Sequence, residues 1–161
     1  MANIPTSEGR VPFMIPGKID VPCSTYYKVF GDLASGAPPV IALHGGPGGG
    51  HEYLLPFAEL WPLYGLPVVF YDQIGCGAST HLPQMSGNAD FWQESLFIAE
   101  LANLIDHLKL RDGPGFHLLG QSWGGDARCC FCCQSTSRFA EVGTGQWSSH
   151  YGAFCAGNPA V

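Results

Sequence analysis

Charge is scarce in this 161-residue chain: Asp, Glu, Lys and Arg together make up 12 %, about half the usual share of roughly 25 %. What charge there is leans acidic. Seven basic residues against thirteen acidic ones leave a net −6, which argues against binding to nucleic acid or to an anionic membrane surface. No apolar run approaches the ~18 residues that a membrane span needs, and the opening MANIPTSEGR lacks the basic-then-apolar pattern of a secretory signal. A cytoplasmic, globular protein is therefore expected. There is no internal repeat. Disorder is excluded by the 46 % apolar and 12 % aromatic content, and the length suits one domain with a real core.

The averages conceal a break after Gly125. The first 125 residues hold two cysteines, Cys23 and Cys76, with five basic against eleven acidic residues. The remainder holds five cysteines, Cys129, Cys130, Cys132, Cys133 and Cys155, and balances two Arg against Asp126 and Glu141. Without an export signal, seven cysteines do not read as a disulfide framework. Two parts are expected: 1–125 as the folded portion, and 126–161 as a divergent Cys-rich tail, poorly structured and outside the native fold.

Along the first part, hydrophobic patterning alternates between strands and helices. Residues 9–15 and 25–30 read as an antiparallel pair at a sheet edge, separated by a Pro/Gly turn. PVIAL at 39–43 and PVVFY at 67–71 suit strands buried on both faces. An interrupted helix is expected over 53–64, with Pro56 near its first turn and Pro62 near its end. The clearest helix covers about 92–110, with Leu96, Ile98, Leu101, Leu104, Ile105 and Leu108 inward and Glu94, Glu100, Asp106 and Lys109 outward. Asp90 is placed to cap it, and Asp112-Gly113-Pro114-Gly115 to stop it. FHLL at 116–119 is a third buried strand. This order predicts an α/β fold, a mostly parallel sheet with helices on both faces.

Three glycine-flanked turns follow the buried strands. Gly120-Gln121-Ser122-Trp123-Gly124 matches G-x-S-x-G, in which a serine on a sharp strand-to-helix turn exposes its hydroxyl at a helix N-terminus. Glycines at 120 and 124 remove side chains that would collide where strand and helix fold together. His44-Gly45-Gly46-Pro47-Gly48-Gly49-Gly50 can aim backbone N–H groups at an oxyanion, alongside the N–H of Trp123. A phosphate loop is a poor alternative, because the Gly-Lys-Ser/Thr ending is missing. The turn from Asp72 to Ser79 is expected to shape the floor of the site without reacting.

Together, HGGPGGG, YDQIGCGAS, FWQESLFIAELANLIDHL and LLGQSWGG, in that order over residues ~10–125, resemble the proline iminopeptidase family of serine peptidases, α/β-hydrolases, closest to its fungal branch. The resemblance implies Ser122 as nucleophile, Gly46 and Trp123 as oxyanion N–H donors, and Gly45 with Gly46 contacting substrate. It implies a small peptide or amino-acid amide as substrate, release of an N-terminal proline or other amino acid through an acyl-enzyme, and no metal or organic cofactor. His44 and Asp72 take structural roles by the same resemblance.

Serine needs a base that is itself oriented by an acid, and in this fold both follow the serine along the chain. After Ser122 stand Asp126, Glu141 and His150, in contexts that do not suit a triad. Asp126 lies on the elbow helix itself, and no strand precedes His150. The family's cap, whose acidic groups hold the substrate amine, has no counterpart. The run Cys129-Cys130-Phe131-Cys132-Cys133 is too crowded for paired zinc-site spacing. With plausible codons from Asp126 onward and freely chosen wobble bases, a single-base shift turns the tail into MLGAVFAVNQP and then SQKLVLASGPAIMELFVQETRR. Those strings resemble the family's elbow helix and next strand, so a truncated or frameshifted chain after Gly125, inactive alone, is expected.

Overall fold

A computed structural model of the chain describes residues 4–15, 21–134, 139–140 and 154–157. Strands β1 (Thr6–Phe13) and β2 (Cys23–Phe30) form the expected antiparallel pair. Strand β3 (Val40–Leu43) is parallel both to β4 (Val68–Tyr71) and to β5 (His117–Gly120). Two short strands, β6 (Phe139–Ala140) and β7 (Phe154–Gly157), continue the sheet antiparallel beyond β5. The strand order is β1-β2-β4-β3-β5-β7-β6. The side of β5 away from β3 is thus paired with β7.

Helices cover both faces, because β3 and β4 are apolar at every position and so bury both sides. Ile41, Leu43, Val69 and Tyr71 meet Leu101, Leu104 and Ile105 of α2 (Glu94–His107) and Phe131 of α3 (Trp123–Gln134). On the opposite face Val40, Ala42, Val68 and Phe70 meet Leu54 and Ala58 of a 3₁₀ segment, Glu52–Glu59. That segment and the short α1 (Leu60–Tyr64) occupy the interrupted helix of the sequence reading. Pro56 inside it removes a backbone donor, in keeping with the tighter 3₁₀ winding.

Three expectations about α2 need correction. Helix α2 begins at Glu94, with Gln93 rather than Asp90 at the cap position; Asn88 organises the preceding turn by accepting the Phe91 N–H. The helix ends before the Asp112–Gly115 stop, with Lys109 already in the left-handed region at φ 55°. Glu100 does not face outward: it is fully buried, and its carboxylate accepts from Thr25 Oγ1 and the Ile74 N–H. The boundary drawn at Gly125 falls inside α3, whose Ala127 and Phe131 join the core.

Candidate active site

Both of the strongest sequence motifs leave the sheet at the same edge. β3 and β5 are adjacent and parallel, with Leu43 paired to Gly120, so the loops that follow them emerge side by side. Ser122 stands exposed between β5 and α3 at φ 52°. A non-glycine residue in this left-handed region is uncommon and marks a forced turn. Gly125 and Asp126 donate N–H bonds to the Ser122 carbonyl at 2.7 and 3.3 Å, starting the helix immediately. The tightness explains the two flanking glycines. A Cβ at Gly120 would collide with the Gly124 carbonyl, and one at Gly124 with the carbonyl of Leu43.

The glycine loop lies directly against this turn. A Cβ placed on Gly45 would sit 2.8 Å from Gln121 Oε1 and 3.1 Å from Ser122 Cβ. Gly46 has φ 125°, and residues 46–49 are exposed. A residue that the sequence reading passed over ties the two loops together. The Gly45 N–H donates to the Tyr53 hydroxyl at 2.6 Å, and that hydroxyl donates to Gln121 Oε1 at 2.9 Å.

Beneath the loops, His44 is fully buried. The Gln73 N–H donates to its Nε2 at 3.0 Å, so Nδ1 carries the proton toward the Gly45 carbonyl at 2.9 Å. Burial pushes its pKa below the ordinary histidine value. Asp72 accepts from the His51 N–H and ring Nδ1, both at 2.8 Å, and from the Ala78 N–H. Burial raises its pKa, but these hydrogen bonds outweigh that and hold the carboxyl below the usual range. Glu100 fixes the same turn from behind through Ile74, and burial lifts its carboxyl to about 7. Cys76, a free thiol, is raised by burial to about 11, which leaves it a poor nucleophile.

The histidines described here are engaged away from Ser122. His44 and His51 are held as above, and His81 Nε2 meets the Gly77 carbonyl at 2.9 Å. His117 sits at the far end of β5 from the elbow, and the ring of His107 lies 6.2 Å from that of Tyr27. Asp126 is exposed on the first turn of α3. Glu141 and His150 lie outside the described residues, as do the side chains of Cys129, Cys130, Cys132, Cys133 and Cys155. Among the described residues, no group of three metal-ligating side chains gathers, and no helix is long and apolar enough to cross a membrane.

Two cavities flank the loop apex. One of about 580 Å³ lies along Gly48–Glu52, Tyr26, Lys28 and Asp72, and Ser122 does not line it. A smaller one of about 230 Å³ is bounded by Pro47, Gly48, Ile74, Gly75, Trp92 and Phe97. The ring of Phe97 in turn meets that of Trp123 edge-on at 5.7 Å.

A serine elbow and a glycine loop on neighbouring parallel strands define an α/β-hydrolase, and a family model described as alpha/beta hydrolase fold matches residues 38–142. The chain belongs to that family. Its curated relatives include several proline iminopeptidases. The enzyme so named from Levilactobacillus brevis is 43 % identical over 114 residues, covering 71 % of this chain and 36 % of the relative. The one from Lactiplantibacillus plantarum is 42 % identical over 109 residues, 68 % of this chain and 36 % of the relative. Among solved structures, VinJ superposes with a TM-score of 0.69 at 46 % identity, covering 80 % of this chain and 39 % of that one. The Mycobacterium smegmatis proline iminopeptidase gives 0.66 at 36 % identity, with 80 % and 40 % covered. The chain spans between 36 and 39 % of the length of the curated relatives it matches.

Proposed function

We propose that this chain carries the nucleophile half of a serine hydrolase of proline iminopeptidase type, with Ser122 as the attacking residue. The backbone N–H groups of Gly46 and Trp123 stabilise the oxyanion, and Gly45 and Gly46 contact the substrate. The reaction is release of an N-terminal proline or other amino acid from a small peptide or amide, through an acyl-enzyme on Ser122 Oγ. It needs no metal and no organic cofactor. The observation that carries this reading is the exposed Ser122 at φ 52°, packed against Gly45 of the glycine loop. A hydroxyl placed there can attack a carbonyl whose oxygen would be received by the Gly46 and Trp123 N–H groups.

The base and its orienting acid are not supplied by the described histidines, each of which is engaged elsewhere. With no base beside Ser122 among the described residues, we expect the chain alone to turn over little or no substrate, since serine without a base is a weak nucleophile. A cytosolic setting is in keeping with the free thiols of Cys23 and Cys76.

Chemical rescue tests both halves of the proposal. The chain is incubated with a prolyl or alanyl arylamide, with and without free imidazole as a diffusible base. We expect no turnover alone, and imidazole-dependent turnover above the imidazole background that disappears in Ser122→Ala. An imidazole effect of equal size in Ser122→Ala overturns the nucleophile assignment. Turnover without imidazole that requires Ser122 overturns the missing base.

A further inference from the structure

We infer that His51, oriented by Asp72, is a second nucleophilic centre of this chain, opening on the cavity of about 580 Å³ and acting without Ser122. Its substrates are small uncharged esters with a good leaving group, such as aryl acetates.

The pair has the form of an acid-oriented imidazole. The Nδ1 of His51 meets Asp72 Oδ1 at 2.8 Å, and the same oxygen accepts the His51 backbone N–H at 2.8 Å. Two bonds from one residue to one oxygen fix the ring. The other carboxylate oxygen accepts the Ala78 N–H at 2.8 Å. Asp72 is ionised, its carboxyl held below the usual range by these bonds. An ionised carboxylate only accepts, so Nδ1 carries the proton and Nε2 the lone pair. Gly77 leaves room for the carboxylate, since a Cβ there would collide with it. Tyr26 and Phe70 flank the imidazole, with ring centroids 5.6 and 6.3 Å away. The Tyr26 hydroxyl is itself held on Glu8 at 2.7 Å.

A structural pin between the glycine loop and the turn after β4 uses only Nδ1 and the backbone. Nε2 is surplus to that role. Among the described residues no hydrogen bond reaches it, and His51 lines the cavity. A neutral imidazole held in one tautomer, with its lone pair unused, is a nucleophile for acyl groups.

The other walls select the substrate. Leu55 and Tyr26 give apolar surface, and Gly48–Gly50 bring no side chains. Glu52 and Asp72 repel an anionic ester, and Lys28 repels a cationic one. Lys28 also brings positive charge to the cavity in which an oxyanion would form.

The chemistry closes on water alone. Nε2 attacks the ester carbonyl carbon, and the bond from that carbon to the aryl oxygen breaks with release of the phenolate. The ring gives its Nδ1 proton to solvent and is left as a neutral N-acylimidazole. Water then adds to the acyl carbon and the C–N bond breaks. One proton of the water restores the imidazole, and the other departs as the acetic acid ionises.

The test follows p-nitrophenolate release from p-nitrophenyl acetate by the intact chain. Sustained turnover is expected, beyond the stoichiometric acetylation of lysines, and His51→Gln should lose it. Turnover retained in a His51→Gln chain that folds, as judged by circular dichroism, overturns the inference. Should that variant fail to fold, the parent chain decides. Diethyl pyrocarbonate, which blocks the imidazole lone pair, should abolish turnover in step with labelling of His51 read by peptide mass spectrometry. Hydroxylamine, which removes the label, should restore it. Turnover that survives complete labelling of His51 overturns the inference, as does the absence of sustained turnover in the parent. Turnover that disappears in Ser122→Ala also overturns it, and assigns the ester to the elbow instead.

Discussion

Replacing Glu100 by Gln should make the protein's stability less sensitive to alkali. The side chain is fully buried, its carboxylate accepts from Thr25 Oγ1 and the Ile74 N–H, and burial raises it from an ordinary 4.5 to about 7. Below the lower value the carboxyl is protonated in both folded and unfolded chains. Between the two values the unfolded chain releases its proton while the folded one retains it, so stability falls as pH rises, and it levels off above about 7. A shift of this size corresponds to about 3 kcal/mol. Gln keeps the shape and a hydrogen-bonding amide but never ionises. The stability of Glu100→Gln minus that of the parent should therefore rise by about 3 kcal/mol from about pH 4 to about pH 8. In a domain of this size that is about 6–12 °C in Tm. His44 and His117, both lowered by burial, lose stability in the opposite direction as pH falls through their unfolded range. They are common to both chains and cancel in the difference. Urea midpoints measured across the range give the curve. A flat difference, or one that falls with pH, would show that the carboxylate is solvated or already ionised at low pH.

Two further substitutions test the loop geometry. Gly124→Ala drives a methyl into the Leu43 carbonyl, and urea unfolding should show a loss of about 1–3 kcal/mol or more, the range for overpacking. A neutral Gly124→Ala would mean that the elbow is looser than described. Tyr53→Phe removes the hydroxyl between Gly45 and Gln121. It should cost about 0.5–1.5 kcal/mol and speed hydrogen exchange at the Gly45 amide; unchanged exchange would show that the bridge does not hold the loop.

Most of what positions the candidate site was legible because it rests on local rules. Runs such as VIAL and VVFY have no polar face, so they can only be central strands. The glycines around Ser122 announce a turn too tight for a Cβ. Long-range polar contacts were not legible. Glu100 sits on the helical repeat where a solvent-facing charge would stand, and only the distant Thr25 and Ile74 explain its burial. Tyr53 looked like one more apolar residue of a helix, although its hydroxyl is what links the two loops. The start of α2 was misplaced because Asn88, rather than Asp90, shapes the turn before it. Past Gly125 the cysteine-rich composition suggested a break, whereas the backbone continues as helix to Gln134, with Ala127 and Phe131 in the core.

The pairing of Leu43 with Gly120 has a mechanical consequence. Adjacent strands are held about 4.8 Å apart by their hydrogen-bond ladder, and the His44 and Ser122 turns spring from neighbouring rungs. The spacing at which the glycine loop and the Ser122 turn leave the sheet is thus a repeat distance of the sheet, as fixed as a tooth pitch on a gear. Any sequence that kept these two rungs and their glycines would inherit the same spacing, whatever was spliced on after the elbow helix.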